Sequence, residues 1–386
     1  MPWQEVCPVD ERVRFITEVN QTQESFAALC RRFGISRKVG YKWCQRYEEH
    51  GPSGLEKRPP LARSCPHKTA DAVVTALIEL RKEHPNWGPK KLKARLEALG
   101  RKDVPAASTI GDMLKRHGLV RPRRRRVYPP SMTPQPLAEV TLPNDTWCVD
   151  FKGHFALGDK SRCYPLTVTD QFSRYLLKCE AVAKPDVVHV KPHFERAFRE
   201  FGLPRRIRSD NGPPFATTGI GGLSELSVWW IKLGIVPERI EPGKPQQNGR
   251  HERMHRTLKD DVASKPEADR QAQQLSFDRW RHAYNDIRPH EALAQQTPSS
   301  QYTTSRRVMP ASLSSPDYPA TMEVRRVKPN GMVPWRGQEF LLTRLLHGEP
   351  VGLEQLDEQR WRLHYGPVVL AELTMHGKEL RLDKQR

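Results

Sequence analysis

The sequence predicts a multidomain protein with tandem helical modules, a mixed α/β core and a small all-β domain, in that order. Apolar-striped segments that end at glycine fill the first third of the 386 residues. Strand-like and helical patterns then alternate, and short strand-like runs separated by glycine turns close the chain. The predicted boundaries are helical modules at 1–52 and 69–118, linkers at 53–68, 119–140 and 299–318, the α/β core at 141–298 and the all-β domain at 319–386.

The charge balance indicates a polyanionic partner. The chain has 64 Lys and Arg against 45 Asp and Glu, a formal net charge of +19, and residues 1–130 alone have 27 against 14. Nucleic acid is the usual partner of so basic a protein, and a membrane surface is the alternative. No apolar run approaches the roughly 18–20 residues of a membrane-spanning helix, and the N-terminus lacks the pattern of a signal peptide. The seven cysteines, without a C-x-x-C pair, predict reduced thiols in a cytoplasmic protein.

Residues 9–50 predict three short helices that form a helix-turn-helix motif. Gly34 would end the second helix, and Ser36 is placed to cap the third. The third helix carries cations that would face bases and phosphates in a major groove, namely Arg37, Lys38, Lys42 and Arg46. A plain helical bundle with a solvated basic face is the alternative.

Residues 69–118 also predict three short helices, and an arginine run follows them. Val73, Leu77 and similar residues mark one helix, Trp87-Gly88-Pro89 opens a second, and the third is predicted to be capped near Ser108 or Thr109. This pattern indicates a second helix-turn-helix module. Within the linker 119–140, we expect four residues to contact DNA phosphates, namely Arg123, Arg124, Arg125 and Arg126. A solvated charge run is the alternative for them.

The segment 141–298 has the mixed order of strands and helices of an α/β core. Strand-like runs cover 146–157, 162–169, 173–182, 206–209 and 235–240, and helical patterns cover 186–201, 223–233, 252–262 and 275–287. Asp170 lies between two strand-like runs and is predicted to be a turn residue rather than a ligand. Trp229 and Trp230 are expected in the core rather than as stacking platforms for bases.

Three carboxylates from distant segments are the candidate active site. Asp150 ends a strand-like run, Asp210 follows the short strand 206–209, and Glu252 lies near the start of a helix. We expect them to meet at one edge of the sheet, which is unfavourable unless a divalent cation neutralises them. Mg²⁺ or Mn²⁺ suits such oxygen ligands. Two ions roughly 3.5–4 Å apart would hold the attacking and leaving oxygens of a phosphodiester.

The segments around these carboxylates resemble the Asp-Asp-Glu motifs of the DDE transposases and retroviral-type integrases. The 41 residues between Asp210 and Glu252 exceed the usual family spacing, which predicts a small insertion in Gly219–Leu226. The resemblance covers about 140–298 and rests on WCVDF at 147–151, SDNGPPF at 209–215, PQQNGRHER at 245–253 and YNDIRPHEAL at 284–293.

The resemblance implies a transposase of bacterial insertion sequences, with an RNase H-like core and an SH3-like C-terminal domain. Such an enzyme binds the ends of a mobile DNA element, hydrolyses a phosphodiester there and transfers the released 3′-hydroxyl into target DNA. Its catalytic metal ligands would be Asp150, Asp210 and Glu252, and its cofactor Mg²⁺ or Mn²⁺, as two ions. Its partners would be double-stranded DNA and further copies of itself, in the bacterial cytoplasm at the nucleoid.

Arg256 and Lys259 lie four and seven residues after Glu252, on the same helix face. By the resemblance they would hold DNA beside the metal site, and ordinary ion pairs within the helix are the alternative. Two other functions remain open for the whole chain. One is a catalytically inactive helix-turn-helix regulator derived from a transposase, and the other is a simple nuclease, which would need no tandem recognition modules.

Overall fold

The computed structural model describes residues 8–56, 68–120, 137–241, 245–376 and 379–384. The chain forms two compact units, Met1–Lys68 and Thr69–Arg386. The predicted phosphate contacts Arg123, Arg124, Arg125 and Arg126 lie outside the described residues. Among the helices of the described ranges, none is long and apolar enough to cross a membrane.

The first unit contains three helices in the places that the sequence predicted. Gly34 turns the chain before the third helix with a φ of 65°, a conformation in which glycine is unstrained. The Ser36 hydroxyl accepts a hydrogen bond from the Val39 N–H and caps that helix, as predicted. The helices are α1 (Pro8–Gln21), α2 (Phe26–Arg32) and α3 (Arg37–His50).

A short 3-10 turn at Gly51–Leu55 extends the first unit beyond α3. Leu55 is buried in the same apolar cluster as Phe15 and Leu29. Its carbonyl accepts a 2.7 Å hydrogen bond from the Arg12 guanidinium. The predicted linker 53–68 was therefore wrong for its first three residues, because its glycine and proline content gives no sign that Leu55 completes the core.

The second unit begins with three helices, again where the sequence predicted them. Ala106 is the N-cap of the last one and makes no side-chain capping bond; Ser108 and Thr109 lie near this cap, as predicted, in the first turn of the helix. The apolar sides of all three helices form one buried cluster, which includes Leu77, Leu92 and Ile110. The helices are α4 (Asp71–Glu83), α5 (Pro89–Ala98) and α6 (Ala107–Arg116).

This helical module packs directly against the α/β core. The Asn86 amide donates a 2.8 Å hydrogen bond to Asp261, and the Lys90 ammonium lies 2.7 Å from the Glu291 carboxylate. Ile287 packs on the apolar cluster of the module. The contact therefore combines a buried apolar surface with polar pairs at its margin.

The core is a six-stranded mixed sheet in the order β2-β3-β1-β5-β6, with β4 paired to β3. The central strand β1 is antiparallel to β3 and parallel to β5. Its residues Trp147, Cys148 and Val149 are fully buried because helices cover the sheet. The strands are β1 (Thr146–Phe151), β2 (Phe155–Ala156), β3 (Arg162–Asp170), β4 (Leu176–Val182), β5 (Arg206–Ser209) and β6 (Val236–Arg239).

Four helices accompany this sheet. The last two continue as wider π-type turns, through Ala263 and Ile287 respectively. Trp229 and Trp230 on the second helix are buried in the main core cluster, as the sequence predicted. The helices are α7 (Val187–Phe201), α8 (Glu225–Lys232), α9 (Gly249–Leu258) and α10 (Arg270–His282).

Asp170 is the buried turn residue that the sequence predicted. Its carboxylate accepts hydrogen bonds from the Asn144 N–H at 2.7 Å, the Ser173 N–H at 2.7 Å and the Ser173 hydroxyl at 2.6 Å. The turn extends through Arg174, which has a positive φ of 66°, so β4 starts at Leu176 and not at the predicted residue 173.

The C-terminal part is all-β and packs on α8. Ile220 and Leu223, from the predicted insertion Gly219–Leu226, share its apolar cluster, and Lys232 of α8 lies 2.7 Å from Glu349. Its SH3-like identity stays a prediction. The strands are β7 (Glu323–Arg326), β8 (Met332–Trp335), β9 (Gln338–Leu341), β10 (Pro350–Gln355), β11 (Arg360–Tyr365), β12 (Val368–His376) and β13 (Glu379–Lys384).

Candidate active site

Asp150 and Asp210 lie at the same edge of the sheet, and Glu252 is near enough for its charge to act on Asp150. Asp150 is the penultimate residue of β1, and Asp210 directly follows β5. The parallel register pairs Cys148 with Arg208, so two further residues along each strand bring Asp150 level with Asp210. Glu252 lies in the first turn of α9, which packs against β1. The fold therefore explains how residues so distant in sequence share one region.

The electrostatics of Asp150 reflect this convergence. Burial and the negative charges of Asp210 and Glu252 together raise the pKa of Asp150 to about 7, against the opposing effects of the Phe151 backbone and Lys152. The neighbouring negative charges that raise this pKa also favour a cation beside the carboxylates. The donor set therefore fits a hard divalent cation, which carboxylate oxygens bind.

Short polar contacts hold the Asp210 loop at the end of β5. The Asp210 carboxylate accepts a 3.2 Å hydrogen bond from the Gly212 N–H. The Asn211 amide donates to the Ile240 carbonyl at 2.7 Å and ties the loop to the end of β6. The loop is thus fixed to the sheet on both sides of the carboxylate, which limits its movement.

Glu252, Arg256 and Lys259 are exposed on one face of α9 and its continuation, as their spacing predicted. Within the described residues, neither cation forms an ion pair with a carboxylate. Exposed cations on the side of the carboxylate cluster are available to a polyanion. Their role in holding DNA stays a prediction.

Two buried histidines lie beside Asp150 on the inner face of α9, and the sequence did not single them out. Single ligand atoms of Asp150, His251 and His255 all lie within 4.8 Å of one another. The His255 Nδ1 atom is 3.6 Å from Asp150 Oδ2. Burial lowers the pKa of His251 to about 3 and that of His255 to about 2, so both rings are neutral at physiological pH.

A basic cleft of about 880 Å³ opens between the α4–α6 module and the core. Six cations line it with a single carboxylate, Glu291, which is paired with Lys90. The first turns of α5 and α6 also line the cleft, and free N–H groups at helix starts favour anions. The cations of this basic cleft are Lys90, Lys91, Arg174, Arg250, Arg253 and Arg288.

The cations of the basic cleft crowd one another. Burial, followed by the charge of Arg288, lowers the pKa of Lys91 to about 8. The Arg174 Nε atom is buried, with no hydrogen-bond partner among the described residues. Arg288 is balanced by Asp261 at 3.4 Å. An incoming anion would relieve this local excess of positive charge.

The cations predicted on α3 differ in their surroundings. Arg37, Lys38 and Lys42 are exposed, and Arg46 is half-buried. The Arg46 guanidinium lies 5.1 Å from the centre of the Trp43 ring, so it also supports the bundle. The Lys42 ammonium lies 5.5 Å from the centre of the same ring, so Arg37 and Lys38 are the two predicted contacts without a contact to Trp43.

Comparisons with known proteins match parts of the chain to known domain families. Two models of the integrase core domain match residues 140–245 and 233–298. A helix-turn-helix model matches 11–63, and a homeodomain-like model matches 39–114. The integrase core match covers 140–298, the segment on which the sequence resemblance rests. The resemblance predicted from the sequence is thereby confirmed.

Two relatives of this chain come from bacterial insertion elements. The uncharacterized 39.2 kDa protein of insertion element IS476 from Xanthomonas euvesicatoria is 29% identical over 69% of this chain and 75% of its own length. The uncharacterized 31.7 kDa protein of insertion element IS407 from Burkholderia multivorans is 28% identical over 62% of this chain and 86% of its own. A chain of the simian T-cell lymphotropic virus intasome is similar at 15% identity and a TM-score of 0.37, over 80% of this chain and 96% of that one.

Proposed function

We propose that this protein binds the ends of a mobile DNA element, cleaves the phosphodiester bond there and joins the new 3′-end to target DNA. The observation that supports this most directly is the parallel register of β1 and β5, which brings Asp150 level with Asp210. The pKa of Asp150 is raised by burial and by the charges of Asp210 and Glu252, which agrees with this placement. A fold that brings three carboxylates together bears an electrostatic cost. A site that binds metal ions for phosphodiester chemistry explains why that cost is retained.

In this proposal Asp150, Asp210 and Glu252 bind two Mg²⁺ or Mn²⁺ ions. When bound, such ions stabilise the negative charge that develops on the phosphate oxygens. The chain itself holds the carboxylates in register on β1 and β5 and presents Glu252 from α9. Arg256 and Lys259 would hold the reacting strand in line, which is the main protein contribution to this type of reaction.

The basic cleft would bind the part of the DNA that extends from the active site to the α4–α6 module. Arg250, Arg253 and Thr257 line it from α9, the helix that also carries Glu252. Lys90 and Lys91 line it from the start of α5, in the second helical module. A duplex end read by the α4–α6 module would then reach the carboxylates along one continuous positive surface. We further propose that copies of the chain assemble to hold two DNA ends, in the bacterial cytoplasm at the nucleoid.

The test is a joining assay with duplexes that carry the sequences flanking the coding region, in Mg²⁺ or Mn²⁺. Asp150→Asn, Asp210→Asn and Glu252→Gln should each lower cleavage and joining by at least about two orders of magnitude while duplex binding persists. Glu225→Gln is the matched control, because Glu225 is also an exposed glutamate in the first turn of a helix. Normal joining by any of the three site variants would remove that residue from the site.

The same assay separates the proposal from the inactive regulator. A regulator binds the duplex ends but joins nothing in either metal, and its binding is the same in the wild type and in the three site variants. Such a result would contradict the enzymatic proposal and leave the assignment of the helix-turn-helix modules intact.

A further inference from the structure

The polar network beneath Asp150 connects β3 to the buried face of α9. The Thr167 hydroxyl oxygen lies 2.7 Å from the Nε2 atoms of both His251 and His255, and it donates to the Asp150 carbonyl at 3.0 Å. The Thr169 hydroxyl lies 2.9 Å from His251 Nδ1. Thr167 and Thr169 are two residues apart on β3, so their side chains lie on the same side of the sheet, towards α9.

The protons of this network can be counted. A hydroxyl has one proton and two lone pairs, and a neutral imidazole has one N–H and one bare nitrogen. We assign the Thr167 proton to the Asp150 carbonyl; with this assignment both histidines donate from Nε2 to the Thr167 oxygen. Each histidine is then bare at Nδ1. Thr169 donates its proton to the bare nitrogen of His251 and satisfies it.

His255 keeps an unshared lone pair on Nδ1, and that lone pair faces a carboxylate. Asp150 Oδ2 is 3.6 Å away, which is longer than a hydrogen bond. Two atoms that point unshared lone pairs at each other repel unless a positive charge lies between them. Metal–ligand bonds of about 2.0–2.2 Å bring two ligands of one ion to a separation of this order.

Glu252 precedes His255 by three residues on α9, which is the Glu-x-x-His spacing, but the Glu252 side chain is exposed whereas His255 is buried. The ligand atoms that lie within 4.8 Å of one another belong to Asp150, His251 and His255. The bond from the His255 Nε2–H to Thr167 fixes the ring orientation and the tautomer, as is usual for a histidine that binds metal.

We propose that His255 Nδ1 is a metal ligand that shares an ion with Asp150. The inference rests on the proposed function, because it adds a nitrogen ligand to the metal site proposed there. A nitrogen ligand favours first-row transition ions such as Mn²⁺ over Mg²⁺, which prefers an all-oxygen shell. His251 has both ring nitrogens engaged and is a positioning residue that holds Thr167 in place.

The test is the electron spin echo spectrum of Mn²⁺ bound to the full-length protein without DNA. The expected result is a modulation from a directly coordinated ¹⁴N nucleus in the wild type. His255→Gln keeps an N–H near the Nε2 position but has no atom at Nδ1, so it should lose this modulation and weaken Mn²⁺ binding by at least about tenfold. His189→Gln is the control, because His189 pairs with Asp186 at the start of α7 and has no contact with this network, so the variant should keep the modulation.

His255→Asn tests the same point in the opposite direction. Its amide oxygen occupies the place of Nδ1, so the variant should bind Mn²⁺ without nitrogen modulation and shift the ratio of affinities towards Mg²⁺. Wild-type protein that binds Mn²⁺ with no coordinated nitrogen would overturn the inference alone, even if every variant failed to fold. Wild-type protein that binds no Mn²⁺ would overturn the inference and the metal-dependent function together.

Discussion

Asp150→Asn should stabilise the metal-free protein while abolishing its chemistry. The pKa of Asp150 is raised from 3.8 to about 7, so the folded state disfavours the ionised form. A shift of this size corresponds to about 4 kcal/mol at high pH. The Asp150 side chain is 26% exposed, so solvent screening reduces the effect. We expect the substitution to raise the free energy of unfolding by about 1–3 kcal/mol at pH 8.

The dependence on pH follows from the sign of this shift. The folded state binds more protons than the unfolded state between pH 4 and pH 7, so the stability of the metal-free wild type falls as pH rises through that window. The difference in the free energy of unfolding between the wild type and Asp150→Asn should therefore be smaller at pH 5 than at pH 8. Mg²⁺ or Mn²⁺ at a hundred times its dissociation constant should raise the free energy of unfolding of the wild type by about 2.7 kcal/mol. The free energy of unfolding of the variant should not change.

The measurement is denaturant unfolding in EDTA, followed by the fluorescence of the buried Trp147 and Trp230. Asp145→Asn is the control, because the Asp145 carboxylate accepts hydrogen bonds from the Thr141 N–H, the Thr141 hydroxyl and the Leu142 N–H. Burial raises the pKa of Asp145, but these bonds outweigh it and leave the pKa lowered, so loss of the charge should destabilise the protein by about 1–3 kcal/mol. The reasoning is refuted if Asp150→Asn is no more stable than the wild type at pH 8 without metal.

Three further predictions concern DNA and domain structure. Lys91→Gln combined with Arg253→Gln in the basic cleft should make the slope of log K against log salt shallower by up to roughly 1.8 and leave base preference unchanged. Replacement of Arg123–Arg126 with alanine should also make that slope shallower. Lys259→Ala should reduce joining far more than end binding, and equal losses of joining and of end binding in this variant would contradict its proposed role. Deletion of 1–68 should leave the remaining residues folded, because they form one compact unit, and a near-ultraviolet circular dichroism spectrum without tertiary signal would contradict this.

The approach of Asp150 to Asp210 could be predicted because each aspartate is marked locally. Asp150 is next to the end of an apolar strand, Asp210 follows another, and the two strands are parallel neighbours, so their ends meet at one sheet edge. Asp170 could be set aside for a local reason as well, since aspartate in a turn bonds nearby N–H groups. Such inferences need only the pattern within a few residues.

Two C-terminal strands were not predicted, for different reasons. Met332–Trp335 contains Pro334, which is unusual in a strand and is tolerated here in a two-stranded sheet. In Glu379–Lys384, leucines alternate with charged residues, and the strand is defined by its pairing with β12 at the sheet edge. In both cases the partner strand decides the structure, and single-sequence patterns do not reveal the partner.

The basic cleft depends entirely on long-range packing. Lys90 and Glu291 are 201 residues apart in the chain, and Asn86 and Asp261 are 175 apart. Each cation alone resembles an ordinary surface residue. Only the docking of the second helical module brings the six together, so composition predicts a polyanion partner but not the position of this surface.

One helix links the three functional surfaces, because its residues project in different directions. On α9, the charge of the exposed Glu252 acts on Asp150, His255 faces Thr167, and Arg253 lines the basic cleft. A displacement of the helix by DNA in the cleft would therefore move Glu252 and His255 relative to Asp150. Because β1 and β5 are fixed in the sheet, α9 is the element through which the cleft can influence the geometry of the carboxylates.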